Sequence, residues 1–249
     1  MRPAARAHEI DSVTAAAAHG EAELALQLLR RGFPVEPDAR GSTALHYAAF
    51  QSDPGFLELV RLLLGLPPNA VEDELVEDAA KTSSTPSGVP STTSIGEAEK
   101  KKTHDLLFHR NELGETACHW AVKAGNVAAM RWLIRADAGI LCARDSEGLS
   151  PLIMAAQLDH IECMEWMYLQ GASVEEQDNL GRTPLMWACY QGHPRAVTYL
   201  LSRAASVAHR DHEGATSLHW ASRRDAKEIW AGGRAVVDWL ISVGAVCSG

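Results

Sequence analysis

Histidine and cysteine are the side chains of this 249-residue sequence that would do chemistry if the fold gathered them. His46, His119 and His219 recur in one setting, each at the fourth position of a Thr-x-x-His stretch, and a histidine so placed could serve as a general base or a metal ligand. The run His209-Arg210-Asp211-His212-Glu213 has ligand-type residues in sequence, but it straddles a turn on which successive side chains diverge, so it reads as a solvated turn. The five cysteines, Cys118, Cys142, Cys163, Cys189 and Cys247, lack the close paired spacings of a zinc or redox motif and read as reduced packing residues. No nucleotide-binding glycine loop, zincin helix or nucleophile elbow is present. The reading is therefore no catalytic residue, no cofactor and no metal.

The histidines belong to a larger pattern. Thr183-Pro184-Leu185-Met186-Trp187-Ala188 is followed 33 residues later by Thr216-Ser217-Leu218-His219-Trp220-Ala221 and preceded by Ser150-Pro151-Leu152-Ile153-Met154-Ala155 at the same distance. Thr116-Ala117-Cys118-His119-Trp120-Ala121 stands a further 34 back, and the first clear copy is Thr43-Ala44-Leu45-His46-Tyr47-Ala48. Glycine stands two residues before every copy, and four of the five have aspartate three residues before that glycine. A period of about 33 residues with this head resembles the ankyrin repeat, in which the head histidine bonds neighbouring turns.

The residues also make physical sense without the family. A threonine hydroxyl caps a helix N-terminus, and proline at the first helical position gives up an N–H that has no partner there. Small residues follow, such as Ala48-Ala49 and Ala155-Ala156, and let helices approach closely, while Gly125 or Gly192 stops the first helix. A second apolar stripe at helical spacing comes next, as in Val60 to Leu64, Met164 to Leu169, Ala196 to Leu201 and Val236 to Ile241. Asp178-Asn179-Leu180-Gly181 and Asp211-His212-Glu213-Gly214 supply the aspartate and glycine of a tight turn. One turn-helix-turn-helix unit cannot bury its apolar face alone, so the expected fold is all-α, a solenoid of about six repeats.

Residues 8–65 read as a capping repeat, without the head motif, plus the first full repeat. Residues 66–105 hold nine Ser or Thr between 82 and 94, with charge runs on both sides, and read as a disordered insertion. The Ser/Thr run is a candidate for phosphorylation, with a tolerated surface insertion as the plainer reading. Residues 106–249 read as four further repeats, the last stretched near Arg223 to Gly233 and ending in mid-repeat. The net charge of −9 argues against nucleic acid as a partner. The absence of an apolar run near 18 residues argues against membrane insertion, and a cytoplasmic monomer is expected.

The residue after the head histidine position forms a column, Tyr47, Trp120, Met154, Trp187 and Trp220, aromatic in four of five copies. Bulky rings would fill space between helices. As a file along one face they would also anchor an extended peptide, with Lys123, Tyr190 and Gln191 as polar neighbours. The strings around Trp120, Trp187 and Trp220 resemble the N-terminal ankyrin domain of the ankyrin-bearing protein S-acyltransferases, over roughly residues 8 to 247. That resemblance implies substrate recruitment through short extended motifs in the cytosol, at an endomembrane such as the Golgi. Catalysis would reside in a separate membrane domain with an Asp-His-His-Cys motif, which this sequence does not contain. It also implies contacts from Trp120 and from the position of Gln51, where the family carries Asn, a departure that leaves peptide specificity open. The functional reading is a non-enzymatic scaffold or adaptor binding other proteins. The alternative is the recruiting region of such a palmitoyltransferase.

Overall fold

The computed structural model describes residues 12–66 and 97–223, and in residues 97–100 the backbone only. Among the described residues there is no strand, and the helices come mostly in pairs. The pairs are α1 (Val13–Ala18) with α2 (Ala22–Arg30), α3 (Ala44–Phe50) with α4 (Pro54–Leu63), and, after α5 (Glu97–Leu107), α6 (Ala117–Lys123) with α7 (Val127–Ala136). Then come α8 (Pro151–Gln157) with α9 (Ile161–Leu169), α10 (Pro184–Gln191) with α11 (Pro194–Ser202), and α12 (Ser217–Arg223). First helices pack on first helices in chain order, from α1 to α12, and second helices on second helices, from α2 to α11. The result is a two-layered solenoid, as the periodicity requires.

The heads start the first helices as their chemistry dictates. The Ser150 and Thr183 hydroxyls accept the N–H groups of Ile153 and Met186, with Pro151 and Pro184 at the helix starts. In the histidine heads the cap is reciprocal: Thr43 and Thr116 are capped by His46 and His119, whose Nδ1 accepts the threonine N–H at 3.2 and 3.1 Å. With Nδ1 accepting, Nε2–H donates to the next repeat, His46 to the Glu115 carbonyl (3.1 Å) and His119 to that of Leu149 (3.0 Å). Behind the heads, Ala48, Ala49, Ala121, Ala155, Ala156 and Ala188 are fully buried and bring the layers together.

The turns stack as closely as the helices. Ser146 N–H donates to the Leu113 carbonyl, Asn179 to Glu147 and His212 to Leu180, at 3.0–3.2 Å. Gly148 and Gly181 show why glycine recurs here. Both have left-handed φ (+82° and +76°), and a Cβ on either would fall within 2.7 Å of Asn179 or His212 in the next turn.

Two regions depart from expectation. Residues 97–105, expected within the disordered insertion, are instead helical, because Glu97–Leu107 forms a helix that buries Leu107 in the core. Its charged stretch, Glu-Ala-Glu-Lys-Lys-Lys, consists of good helix formers as well as solvating residues. Residues 67–96 lie outside the described residues, as do residues 8–11 and 224–249, where the stretch of the last repeat and its second apolar stripe were expected. A 3₁₀ turn, Ala138–Cys142, was not anticipated; the Asp137 carboxylate caps it by accepting the N–H of Gly139.

The cysteines divide by position. Cys118, Cys163 and Cys189 are buried, and burial raises all three thiols, Cys118 to about 12 and Cys163 to about 11, whereas Cys142 is exposed. With Cys247 replaced by serine, a thiol reagent should modify one cysteine per native chain, Cys142, and the other three only on unfolding; rapid labelling of Cys189 would contradict the packing described.

His46 makes a second prediction. Burial pushes its ring down to about 4, against the Glu115 carbonyl that favours the charged form. The unfolded chain, with the ring at its ordinary 6.5, takes up the proton first, so stability is intact above pH 6.5 and falls as pH drops toward 4. The ring contributes on the order of 3 kcal/mol to that loss. His46→Gln should cost roughly 1–3 kcal/mol near neutral pH and flatten the fall between pH 6.5 and 4 in urea titrations. An unchanged slope would contradict this account.

Candidate partner-binding face

The aromatic column begins with carboxylates. In each turn an Asp or Asn side chain folds back on its own backbone: Asp178 Oδ1 accepts the N–H groups of Leu180 and Arg182, both at 2.9 Å. Asp38, Asn111, Asp145 and Asp211 repeat the geometry at 2.8–3.0 Å. The second oxygen then reaches the first helix. Asp38 Oδ2 accepts the Tyr47 hydroxyl (2.5 Å), Asp178 Oδ2 the Trp187 indole N–H (3.0 Å) and Asp211 Oδ2 that of Trp220 (2.8 Å). Burial, and then Asp38, push the Tyr47 hydroxyl up to about 12, so it stays a donor.

The second copy solves the same problem differently. Asn111 has no second oxygen, and Glu115 takes its place: Oε2 accepts Trp120 Nε1 (2.9 Å) and Asn111 Nδ2 (3.3 Å), while Oε1 pairs with Lys123. The Glu115 side chain is 5% exposed. Burial opposes its ionisation, but Lys123, Asn111 and Trp120 together outweigh burial and hold the carboxyl below its usual range.

The column does not form one continuous file. It splits at Met154, which is buried and has no ring, into two patches. The first joins α3 to α6: Trp120 meets Tyr47 edge-to-face at 5.2 Å and Phe50 at 5.9 Å. Gln51 caps the C-terminus of α3, and its carbonyl accepts Asn126 Nδ2 at 2.7 Å. The second patch joins α10 to α12, with Tyr190 edge-to-face with Trp187 at 6.1 Å and with Trp220 at 5.4 Å. Gln191 ends α10 beside it, half-buried.

The two patches differ in how much ring they leave to solvent. Trp120 and Trp220 are half-buried, Phe50 is 47% exposed and Tyr190 37%, but Trp187 is only 9% exposed. Its face is covered by Arg182, whose guanidinium lies 4.3 Å from the ring centroid while Nε bonds Asp178 Oδ2 at 2.6 Å. Trp187 is therefore a buried support for Tyr190, which in turn meets Trp220. Phe50, which belongs with the surface residues, stands seven residues into its repeat, the register of Lys123 and Tyr190; that register was the available signal. Two further histidines are held structurally: His109 bonds the Gly41 carbonyl and His209 that of Gly181. Among the described residues no three His, Cys, Asp or Glu side chains converge as a metal site would.

A stacked helical solenoid with hydrogen-bonded turns and an aromatic first-helix layer defines a repeat protein of the recognition class. The comparisons name the family. The model for ankyrin repeats in three copies matches residues 96–178 and 166–247, and that for a single ankyrin repeat matches 40–73, so the chain belongs to the ankyrin-repeat family. The first match begins one residue before α5. Human ankyrin repeat domain-containing protein 29 is 35% identical over 72 residues, which span 29% of this chain and 24% of that protein. Proteins of this family bind other proteins and are generally non-catalytic, and no helix among the described residues is long and apolar enough to cross a membrane.

Trp187 and Phe50 make opposite predictions. Trp187→Ala should lose roughly 3–5 kcal/mol through the cavity, and Trp187→Phe about 1 kcal/mol through the lost indole bond. Phe50→Ala, at an exposed position, should stay within about 1 kcal/mol of the parent. Chemical denaturation measures all three, and a Trp187→Ala chain as stable as the parent would refute the buried role.

Proposed function

We propose that the chain is a scaffold or adaptor module that holds partner proteins, as extended segments, on a concave face formed by the first helices and the turn tips. What supports this reading most directly is the pair of aromatic patches, which keep Phe50, Tyr190 and parts of Trp120 and Trp220 in water on a layer whose other large apolar residues are mostly buried. Rings held rigid by carboxylates beneath them offer large contact area at little entropic cost. The partner-binding set is Tyr47, Gln51, Trp120, Lys123, Tyr190, Gln191 and Trp220, with Phe50 added and Trp187 supporting from below. The module acts by binding alone, as a cytoplasmic monomer.

A second reading, the substrate-recruiting region of a membrane protein S-acyltransferase, draws on the Trp120 head, whose ring is half-buried between Tyr47 and Phe50 near Gln51. Reading the gene beyond Gly249 separates the two. Apolar spans with a cysteine-rich Asp-His-His-Cys loop establish the second, and their absence dismisses it.

The face itself is tested with captured partners. Phe50→Ala and Tyr190→Ala should each weaken binding by about tenfold or more if the rings are anchors, whereas Leu169→Ala, 67% exposed on the second-helix layer, should leave it unchanged. The reverse pattern would move the interface to the other layer.

A further inference from the structure

The first-helix layer has a charge bias that the chain as a whole does not share. The protein carries 32 Asp and Glu against 23 Lys and Arg, yet none of α1, α3, α6, α8, α10 or α12 contains a carboxylate. The cations of these helices are Lys123 and Arg223, each three residues after a column tryptophan, Trp120 and Trp220. The carboxylates closest to the layer are engaged from beneath: Asp38, Glu115, Asp178 and Asp211 hold the aromatic residues of the column. Lys123 is 38% exposed and its partner Glu115 only 5%, so at the first patch the ammonium faces outward and the carboxylate inward. Arg223 stacks on Trp220 at 4.7 Å and is 49% exposed, pairing at 3.1 Å with the outlying Glu213. Exposed acids return at the turn tips, Glu112, Glu147 and Glu213, which border the face.

Each patch therefore offers exposed ring surface and an exposed cation with more donors than its one acid partner takes up, since an ammonium has three N–H and a guanidinium five. The patches are three repeats apart, from the α3–α6 junction to the α10–α12 junction. Packed helices lie about 8–10 Å apart, so the separation is about 24–30 Å. An extended chain covers that in about seven to nine residues at roughly 3.3–3.6 Å each.

Building on the proposed adaptor function, we infer that the occupant is an extended acidic segment carrying two bulky apolar residues about seven to nine positions apart, each beside a carboxylate. One apolar residue lies against Trp120 and Phe50 with its acid toward Lys123, and the other against Tyr190 and Trp220 with its acid toward Arg223. Between them the segment crosses Gln157 and Leu158, which is 40% exposed, and needs no anchor there.

A displayed library of random linear peptides longer than this span, selected against the intact 249-residue chain, tests the inference. The expected winners share two large apolar residues at that spacing with Asp or Glu beside each. For a winning peptide made synthetically, Arg223→Glu and Lys123→Gln should each weaken binding, Arg223→Glu by at least about tenfold through like-charge contact, with circular dichroism confirming that both variants are folded. Winners that need Phe50 and Tyr190 but are basic, or carry a single anchor, would overturn this inference and leave the adaptor function standing. Winners indifferent to Phe50→Ala and Tyr190→Ala, or no winners at all, would overturn both.

Discussion

Under each described turn an Asp or Asn oxygen is bonded to the turn's own backbone, and the geometry of the whole repeat follows from that contact. At Asp178 one carboxylate receives four hydrogen bonds, two from turn N–H groups on Oδ1 and two from Arg182 and Trp187 on Oδ2. A buried carboxylate is tolerated only when it is satisfied to this degree. Once satisfied, it fixes the turn that lets Gly181 approach the next repeat, and it orients the ring that the first-helix layer presents. Turn stacking and the aromatic face are thus two outputs of one side chain.

Much of this was legible because it is local. The head motif, its helix start and the turn residues lie within a dozen residues of one another, and their period announces the solenoid. The carboxylate–aromatic bond was legible in principle, since Asp38 to Tyr47, Asp178 to Trp187 and Asp211 to Trp220 share an offset of nine residues. What the spacing conceals is exposure. Trp120 and Trp187 occupy equivalent positions, but Arg182 roofs the second and no equivalent residue covers the first, a difference that depends on which side chain stands before the head. Helix α5 was hidden for another reason: a run of Glu, Ala and Lys satisfies the composition of a disordered segment and the propensity of a helix equally well.

The long insertion leaves the stack intact. Glu112 N–H bonds the Arg40 carbonyl, His46 bonds that of Glu115, and Asn126 Nδ2 bonds those of Ala49 and Gln51, so repeats separated by the insertion in sequence are direct neighbours in space. In a one-dimensional array each repeat draws stability from its neighbours. A break here would leave α1 to α4 as an isolated pair of repeats. Closing a long loop costs only a logarithmic increment in entropy, which a junction with these bonds and that of His109 to the Gly41 carbonyl offsets.

Two of the three head histidines that first suggested chemistry are spent on such junctions. His46 and His119 use both ring nitrogens, one on the cap and one on the following repeat, and burial keeps them neutral. The two heads without histidine begin with Ser150-Pro151 and Thr183-Pro184, and their junctions are joined by other means. Between those two repeats His193 bonds the Gln157 carbonyl and Asp159 accepts the N–H of Ala196. After the second of them His209 bonds the Gly181 carbonyl, and Arg182 lies 5.7 Å from the Trp220 ring. A polar link across each of these boundaries is therefore kept while its residues change.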